Sequence, residues 1–137
     1  MSDDVKPGFS PLARLKSFGY AFKGIVFMLK SQHNAWLHLV ATVLVILTAA
    51  FLQVRAEDWR WLIVAIVMVW VAECFNTAVE YVCDVVSPEY NMAVKRAKDI
   101  AAGAVLICAV GAAAIGILTL WPYADAMLTA MQGPISI

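Results

Sequence analysis

Residues 59–83 read WRWLIVAIVMVWVAECFNTAVEYVC, and this stretch decides the fold. Its first half is almost entirely apolar, and a run of about 20 predominantly apolar residues is the length that crosses a bilayer as a helix. Its second half adds Glu73, Asn76 and Glu80. A carboxylate inside a membrane span costs roughly 2.5–3.5 kcal/mol, so such residues need a reason to be there. The stretch therefore predicts a transmembrane helix that carries a functional polar face.

Two further apolar stretches lie on either side of it in the sequence. Residues 35–54 read AWLHLVATVLVILTAAFLQV and residues 100–122 read IAAGAVLICAVGAAAIGILTLWP, and each predicts a membrane span. Apolar residues make up 63% of the chain and charged residues 15%, whereas soluble domains have about 45–50% and about 25%. So little polar surface could not cover a water-soluble core, and the composition predicts an all-α integral membrane protein.

Residues 9–32 predict a helix of another kind. Apolar side chains recur there at steps of three and four, and three lysines recur every seven residues on another face: Lys16, Lys23 and Lys30. An amphipathic helix with a lysine-lined face lies in the membrane interface, although an ordinary solvated helix is the alternative. The sequence thus predicts one domain over residues 9–122, an N-terminal amphipathic surface helix followed by three transmembrane helices. Flexible termini are expected at residues 1–8 and 123–137.

The lysines and arginines predict the orientation of the chain. The first 34 residues contain five of them, the loop at 55–60 contains two, the loop at 84–99 contains three, and none follows residue 99. Because cytoplasmic flanks are enriched in these residues, we expect a cytoplasmic N-terminus, a cytoplasmic loop 84–99 and an outward C-terminus. The formal net charge is zero, which predicts no nucleic-acid partner.

Four polar residues are spaced for one stripe of the central helix: Glu73, Asn76, Glu80 and Asp84. Carboxylates suit Mg²⁺, which is usually held by one or two of them plus substrate phosphates, and a deeper carboxylate can take a proton from a lipid hydroxyl. Lys98 and its neighbours can clamp nucleotide phosphates, although the positive-inside rule alone would supply these cations. Hydrogen bonds that hold an oligomer together, or proton or cation transport, also explain the carboxylates. The pattern predicts an intramembrane carboxylate site near a basic loop and leaves its chemistry open.

A longer sequence motif favours one chemistry for the carboxylate site. The pattern E-x-x-N-T-A-V-E-x-x-x-D from Glu73, followed by AKDIAAGAV at 97–105, resembles the prokaryotic diacylglycerol kinase and undecaprenol kinase family. The likeness covers roughly residues 9–122. It implies a homotrimer in the bacterial inner membrane, with active sites between subunits at the cytoplasmic interface. It further implies transfer of the ATP γ-phosphate to the hydroxyl of a lipid alcohol, diacylglycerol or undecaprenol, with Mg²⁺ as cofactor.

The resemblance also implies roles for individual residues. Glu73 corresponds to the catalytic base, and Glu73, Asn76 and Lys98 to substrate-binding residues. The metal ligands correspond to Glu80 and Gln32. Nucleotide binding is implied for eight residues: Tyr20, Lys23, Glu80, Asp84, Glu89, Asn91, Lys98 and Asp99.

Gln32 departs from the family pattern, which usually has a glutamate at that place before the first span. Asn91 also stands where a histidine is usual. A glutamine carbonyl is a weaker ligand for a hard cation than a carboxylate. Weak Mg²⁺ binding, a carboxylate borrowed from elsewhere and low catalytic activity are the possible consequences. A non-catalytic or cation-handling protein of the same fold, or a purely structural oligomer, is therefore kept as an alternative to the lipid kinase.

Overall fold

The computed structural model describes residues 10–132, which form four helices in the order α1 (Pro11–Ser31), α2 (His33–Phe51), α3 (Ala56–Val86) and α4 (Met92–Gln132). By length and composition, α2, α3 and α4 can each cross a membrane. No strand occurs within residues 10–132. The prediction of an all-α protein with a separate N-terminal helix and three spans is confirmed, and the expected flexible N-terminus at 1–8 lies outside the described residues.

Helix α1 begins and ends where its sequence dictates. The hydroxyl of Ser10 accepts a hydrogen bond from the Ala13 N–H at 3.4 Å, and Pro11 follows as the first helical residue, a position that needs no N–H donor. Gln32 has extended backbone angles (φ −112°, ψ 119°) and separates α1 from α2. The change of direction at Gln32 brings its side chain to the start of the first span.

A tight turn joins α2 to α3. The Gln53 N–H donates to the carbonyl of Ala50 at 3.2 Å and the Val54 N–H to that of Ala49 at 3.0 Å, which is the Schellman pattern of helix termination. Gln53 adopts φ 52°, in the left-handed region that normally favours glycine. Ala49, Val54 and Leu62 form a small buried cluster beside this turn, so the two spans are packed together at this end.

The connection between α3 and α4 is shorter than the predicted loop 84–99. α3 continues to Val86, and α4 starts at Met92. Pro88 disfavours helix in the residue before it, and the side-chain oxygen of Asn91 caps α4 by accepting the N–H groups of Ala93 (2.8 Å) and Val94 (3.4 Å). The basic residues assigned to a loop therefore lie on the first turns of α4, where polar side chains point outward without breaking the helix.

The C-terminal part of α4 also differs from the prediction, which placed a flexible tail at 123–137. The helix passes through Pro122 and ends at Gln132, and residues 133–137 lie outside the described residues. Alanine, leucine and methionine, which dominate the segment after Pro122, favour helix. The hydroxyl of Tyr123 donates to Asp58 and accepts from the Nε of Arg55 at 3.1 Å, and these bonds attach α4 to the start of α3.

The surface of the spans is apolar. Val85, Ile107 and Leu118 are 82%, 75% and 76% exposed, which is the arrangement expected where lipid or other copies of the chain, and not water, surround the helices. Among residues 10–132, the buried polar residues are all on α3: Glu73, Asn76 and Thr77. The fold thus buries Glu73 and Asn76 of the predicted polar face, whereas Glu80 is half-buried and Asp84 is exposed.

Candidate active site

Glu73 is the most enclosed polar group of the site. Its side chain is 0% exposed, and neither carboxylate oxygen has a hydrogen-bond partner among the described residues. The Thr77 hydroxyl, one turn away, donates to the backbone carbonyl of Glu73 at 2.9 Å and leaves the carboxylate free. Within residues 10–132, Glu73 makes one ion-pair contact, to His38 on α2, with Nε2 of His38 3.9 Å from Oε2 of Glu73. A carboxylate with no donor on either oxygen is available to accept a proton.

Glu80 lies two turns along the same helix and is held by two amides. Asn76 Nδ2 donates to Oε1 of Glu80 at 3.1 Å, and Gln32 Nε2 donates to Oε2 at 2.8 Å. The structure therefore brings Gln32, from the junction of α1 and α2, to the position beside Glu80 where a metal ligand was predicted. Gln32 acts there as a hydrogen-bond donor.

Three buried oxygens on this face have no partner in the described part of the chain: both carboxylate oxygens of Glu73 and Oδ1 of Asn76. A buried acceptor left without a donor costs about 1–3 kcal/mol. Such a face favours a ligand that brings hydroxyl groups, metal-bound water or positive charge. A lipid hydroxyl and a hydrated cation both meet that requirement.

The donor set defines what kind of metal site is possible. Residues 10–132 contain no group of three or more His, Cys, Asp or Glu side chains that could hold a metal ion. Mg²⁺ commonly keeps several waters and binds one or two carboxylates together with substrate phosphates. Glu80 offers one carboxylate, flanked by the side-chain amides of Gln32 and Asn76, so a magnesium ion there would need further ligands from water or a substrate phosphate.

Beyond Glu80, charged side chains from α3 and α4 meet at the end of the bundle. Lys98 Nζ donates to Asp84 at 2.5 Å, and this carboxylate raises the pKa of Lys98 above its usual value. Lys95 pairs with Asp99 one turn further along α4 at 2.6 Å. The predicted combination of Asp84 and Lys98 is thus a direct contact, whereas Asp99 is already bound by a neighbouring lysine.

Four predicted nucleotide-binding residues lie away from these bonds. Lys23 Nζ is 5.9 Å from the centre of the Tyr20 ring on the exposed face of α1. Glu89 lies in the connection 87–91, where its backbone carbonyl accepts the Ser87 hydroxyl at 3.1 Å, and Asn91 caps α4. No hydrogen bond within residues 10–132 joins any of the four to the Glu73–Glu80 face, and their nucleotide contacts stay a prediction.

α1 is held against α3 close to the site. The rings of Phe27 and Tyr81 lie 5.0 Å apart with a tilt of 56°. One residue further, Met28 is 2% exposed and its Sδ lies 3.4 Å from Sγ of Cys74, next to Glu73 in the sequence. These contacts fix the last turn of α1 and thereby place Gln32.

Sequence reasoning missed the proximity of His38 to Glu73. The available signal was a lone histidine in an otherwise uncharged span, because ionisable residues inside spans usually face a partner or a cavity. The partner itself depends on how α2 and α3 are aligned.

Comparison with known proteins gives a consistent set of relatives. The sequence model of the family described as prokaryotic diacylglycerol kinase matches residues 19–120. A diacylglycerol kinase of Synechocystis sp. is 38% identical over 109 residues, which are 79% of this chain and 62% of that protein. An undecaprenol kinase of Bacillus subtilis is 31% identical over 107 residues (78% of this chain, 87% of the relative). A diacylglycerol kinase of Escherichia coli K12 is 31% identical over 116 residues (80% and 89%). The chain thus spans less than two thirds of the Synechocystis relative but most of the other two.

Proposed function

The chain belongs to the prokaryotic diacylglycerol kinase family of membrane lipid kinases, and we propose that it transfers the γ-phosphate of ATP to the hydroxyl of a membrane lipid alcohol. The observation that carries this proposal is the buried, unpartnered carboxylate of Glu73, on the same helix face as Asn76 and Glu80. The alternative of a cation- or proton-handling protein has no support among the relatives, each of which is named a kinase.

The location follows from the distribution of positive charge. Lys95 and Lys98 lie at the same end of the bundle as Gln32 and Glu80, whereas no lysine or arginine follows residue 99. Under the positive-inside rule this end is cytoplasmic. The proposal therefore places the site at the cytoplasmic face of the bacterial inner membrane, with a cytoplasmic N-terminus and an outward C-terminus.

The proposed reaction needs little covalent help from the protein. A bond forms between the lipid oxygen and the γ-phosphorus, the bond from that phosphorus to the leaving oxygen of ADP breaks, and the hydroxyl proton passes to a carboxylate oxygen of Glu73. Phosphoryl transfer depends on positioning and charge neutralisation. Because Glu73 is 0% exposed, bulk water is kept from the base, which favours a lipid hydroxyl as the acceptor.

The remaining residues have proposed roles around the phosphates. Glu80 and Gln32, with Asn76 between Glu80 and the base, would hold Mg²⁺, which when bound offsets negative charge on the β- and γ-phosphates. Lys98, already in contact with Asp84, would exchange part of that contact for a phosphate oxygen. The nucleotide would further contact Tyr20, Lys23, Asp84, Glu89, Asn91 and Asp99.

A homotrimer is part of the proposal. Within the described helix α4 (Met92–Gln132), Val105 is the one buried residue. The other large apolar side chains of α4 are exposed or half-buried. Other copies of the chain would cover some of this surface and complete the site between subunits, as the family resemblance implies.

The test is a transfer assay with a panel of lipid alcohols. Purified protein in micelles is incubated with ATP labelled at the γ-phosphate, Mg²⁺ and either diacylglycerol, undecaprenol or a sterol as a control alcohol. We expect labelled lipid with diacylglycerol or undecaprenol and none after chelation of the metal. Release of labelled inorganic phosphate with no labelled lipid would contradict the proposal.

A further inference from the structure

We infer that His38 is a positioning residue for Glu73: its imidazole holds one carboxylate oxygen so that the other faces the lipid hydroxyl. This inference rests on the proposed lipid kinase reaction. Its basis is that Glu73 is fully buried without a hydrogen-bond partner in residues 10–132, while Nε2 of His38 lies 3.9 Å from its Oε2. No other side chain of opposite or switchable charge makes an ion-pair contact with Glu73 in that part of the chain.

The alignment of the two spans makes this contact specific. One turn from His38 on α2, the hydroxyl of Thr42 accepts a hydrogen bond from Nε1 of Trp70 at 3.1 Å. Trp70 precedes Glu73 by about one turn on the antiparallel helix α3. The Thr42–Trp70 bond therefore fixes the register that places His38 beside Glu73.

The other side of His38 faces an apolar space. The imidazole, which is 17% exposed, lines a cavity of about 540 Å³ between α2, α3 and α4, and none of the other residues lining that cavity is titratable. No carboxylate on that side competes with Glu73 for the imidazole. The cavity leaves space in which the ring can turn toward the base.

The observed separation suits a contact that tightens when substrate binds. At 3.9 Å the two atoms are too far apart for a hydrogen bond, and catalytic hydrogen bonds are often long in a ligand-free enzyme. An Nε2–H group can donate to Glu73 before and after the carboxyl takes the proton, so His38 needs no charge for this role. Misplacing a reacting group by about 1 Å can cost roughly 100-fold in rate. Loss of the His38 contact should therefore lower the rate by up to about that factor.

The inference is tested with His38→Leu, His38→Gln and the matched control His33→Leu. His33 is an exposed residue of the same helix. For each protein, kcat, the KM values for ATP and lipid, and the thermal unfolding midpoint are measured. We expect His38→Leu to lower kcat roughly 10- to 100-fold with both KM values unchanged within about twofold. His38→Gln, which keeps a donor at similar reach, should recover most of the rate, and His33→Leu should behave as wild type.

Two results would overturn the inference. The first is a wild-type kcat in His38→Leu. The second is an equal loss of rate in His38→Leu and His38→Gln together with lower unfolding midpoints for both, because that would assign His38 a structural role only. A wild-type protein that phosphorylates no lipid would instead refute the proposed function itself, and it is distinguished from the other two results by the wild-type control.

Discussion

Replacing Gln32 with glutamate tests how the site holds a metal. In the structure, the Gln32 amide donates to Glu80 at 2.8 Å, a neutral contact that stabilises a single carboxylate. Gln32→Glu exchanges this donor for a second carboxylate at nearly the same position. The variant should be less stable than wild type without metal and should bind Mg²⁺ more tightly.

The size of both effects follows from the geometry. Two unit charges about 4 Å apart repel by about 4 kcal/mol at an effective dielectric constant near 20. The side chains at positions 32 and 80 are only partly buried, so solvent screening weakens this repulsion. We expect the variant to lose about 1 kcal/mol of unfolding free energy, which lowers the unfolding midpoint by about 4 °C. A second carboxylate ligand should improve Mg²⁺ affinity about tenfold. At saturating Mg²⁺ this tighter binding adds about 1.4 kcal/mol to the free energy of unfolding of the variant.

The assay is thermal unfolding in micelles as a function of Mg²⁺, followed by the Mg²⁺ dependence of lipid phosphorylation. Gln32→Glu should unfold below wild type in a chelator and at or above it in saturating Mg²⁺. The matched control is Gln53→Glu, the same change on an exposed turn at the other end of the bundle, which should give no Mg²⁺-dependent shift. The reasoning would be refuted if Gln32→Glu and Gln53→Glu responded identically to Mg²⁺.

Three further predictions concern the ends of the bundle. Lys98→Met should raise the KM for ATP roughly tenfold by removing a phosphate partner, whereas Lys95→Met should change it less than twofold; equal effects would contradict the assignment. The Tyr123 hydroxyl lowers the pKa of Asp58 in the folded protein. The Tyr123–Asp58 hydrogen bond therefore stabilises the fold fully above a pH of about 3.9, the ordinary pKa of an aspartate, and this stabilisation is lost as the pH falls through the lower pKa of folded Asp58. Thermal unfolding of wild type and Tyr123→Phe should therefore differ at pH 6 and converge toward pH 2.5. Gln53→Gly should raise the free energy of unfolding by about 0.5–1 kcal/mol because glycine relieves the left-handed backbone; a chemical denaturation curve that shows a loss would contradict this.

Hydropathy predicted the three spans because apolar runs of bilayer length have few alternatives, and the three- and four-residue spacing of apolar side chains predicted the separate first helix. It did not predict where the helices end in water. Asn91 caps α4 and Pro88 ends α3, which shortened the expected loop to five residues, 87–91. At the other terminus, Tyr123 binds Asp58 and Arg55 across helices, a tertiary contact that hydropathy does not contain.

The site was predictable to the extent that it lies on one helix. The three- and four-residue steps from Glu73 through Asn76 to Glu80 place these residues on one face, and the Asn76–Glu80 bond confirms that alignment. Gln32 was placed beside Glu80 only through family resemblance, and its role as a donor could not be foreseen because amide orientation depends on the neighbouring carboxylate. The contact of His38 with Glu73 depends on the register of α2 against α3, which local sequence does not encode.

The most direct test of the central claim is lipid phosphorylation by Glu73→Gln. The amide keeps the shape of the side chain but cannot accept the hydroxyl proton as a carboxylate does. We expect turnover to fall roughly 100- to 10,000-fold while ATP binding and the unfolding midpoint stay near wild type. Glu57→Gln, at the opposite end of α3, should remain fully active. Lipid phosphorylation by Glu73→Gln at the wild-type rate would contradict the claim that Glu73 is the catalytic base.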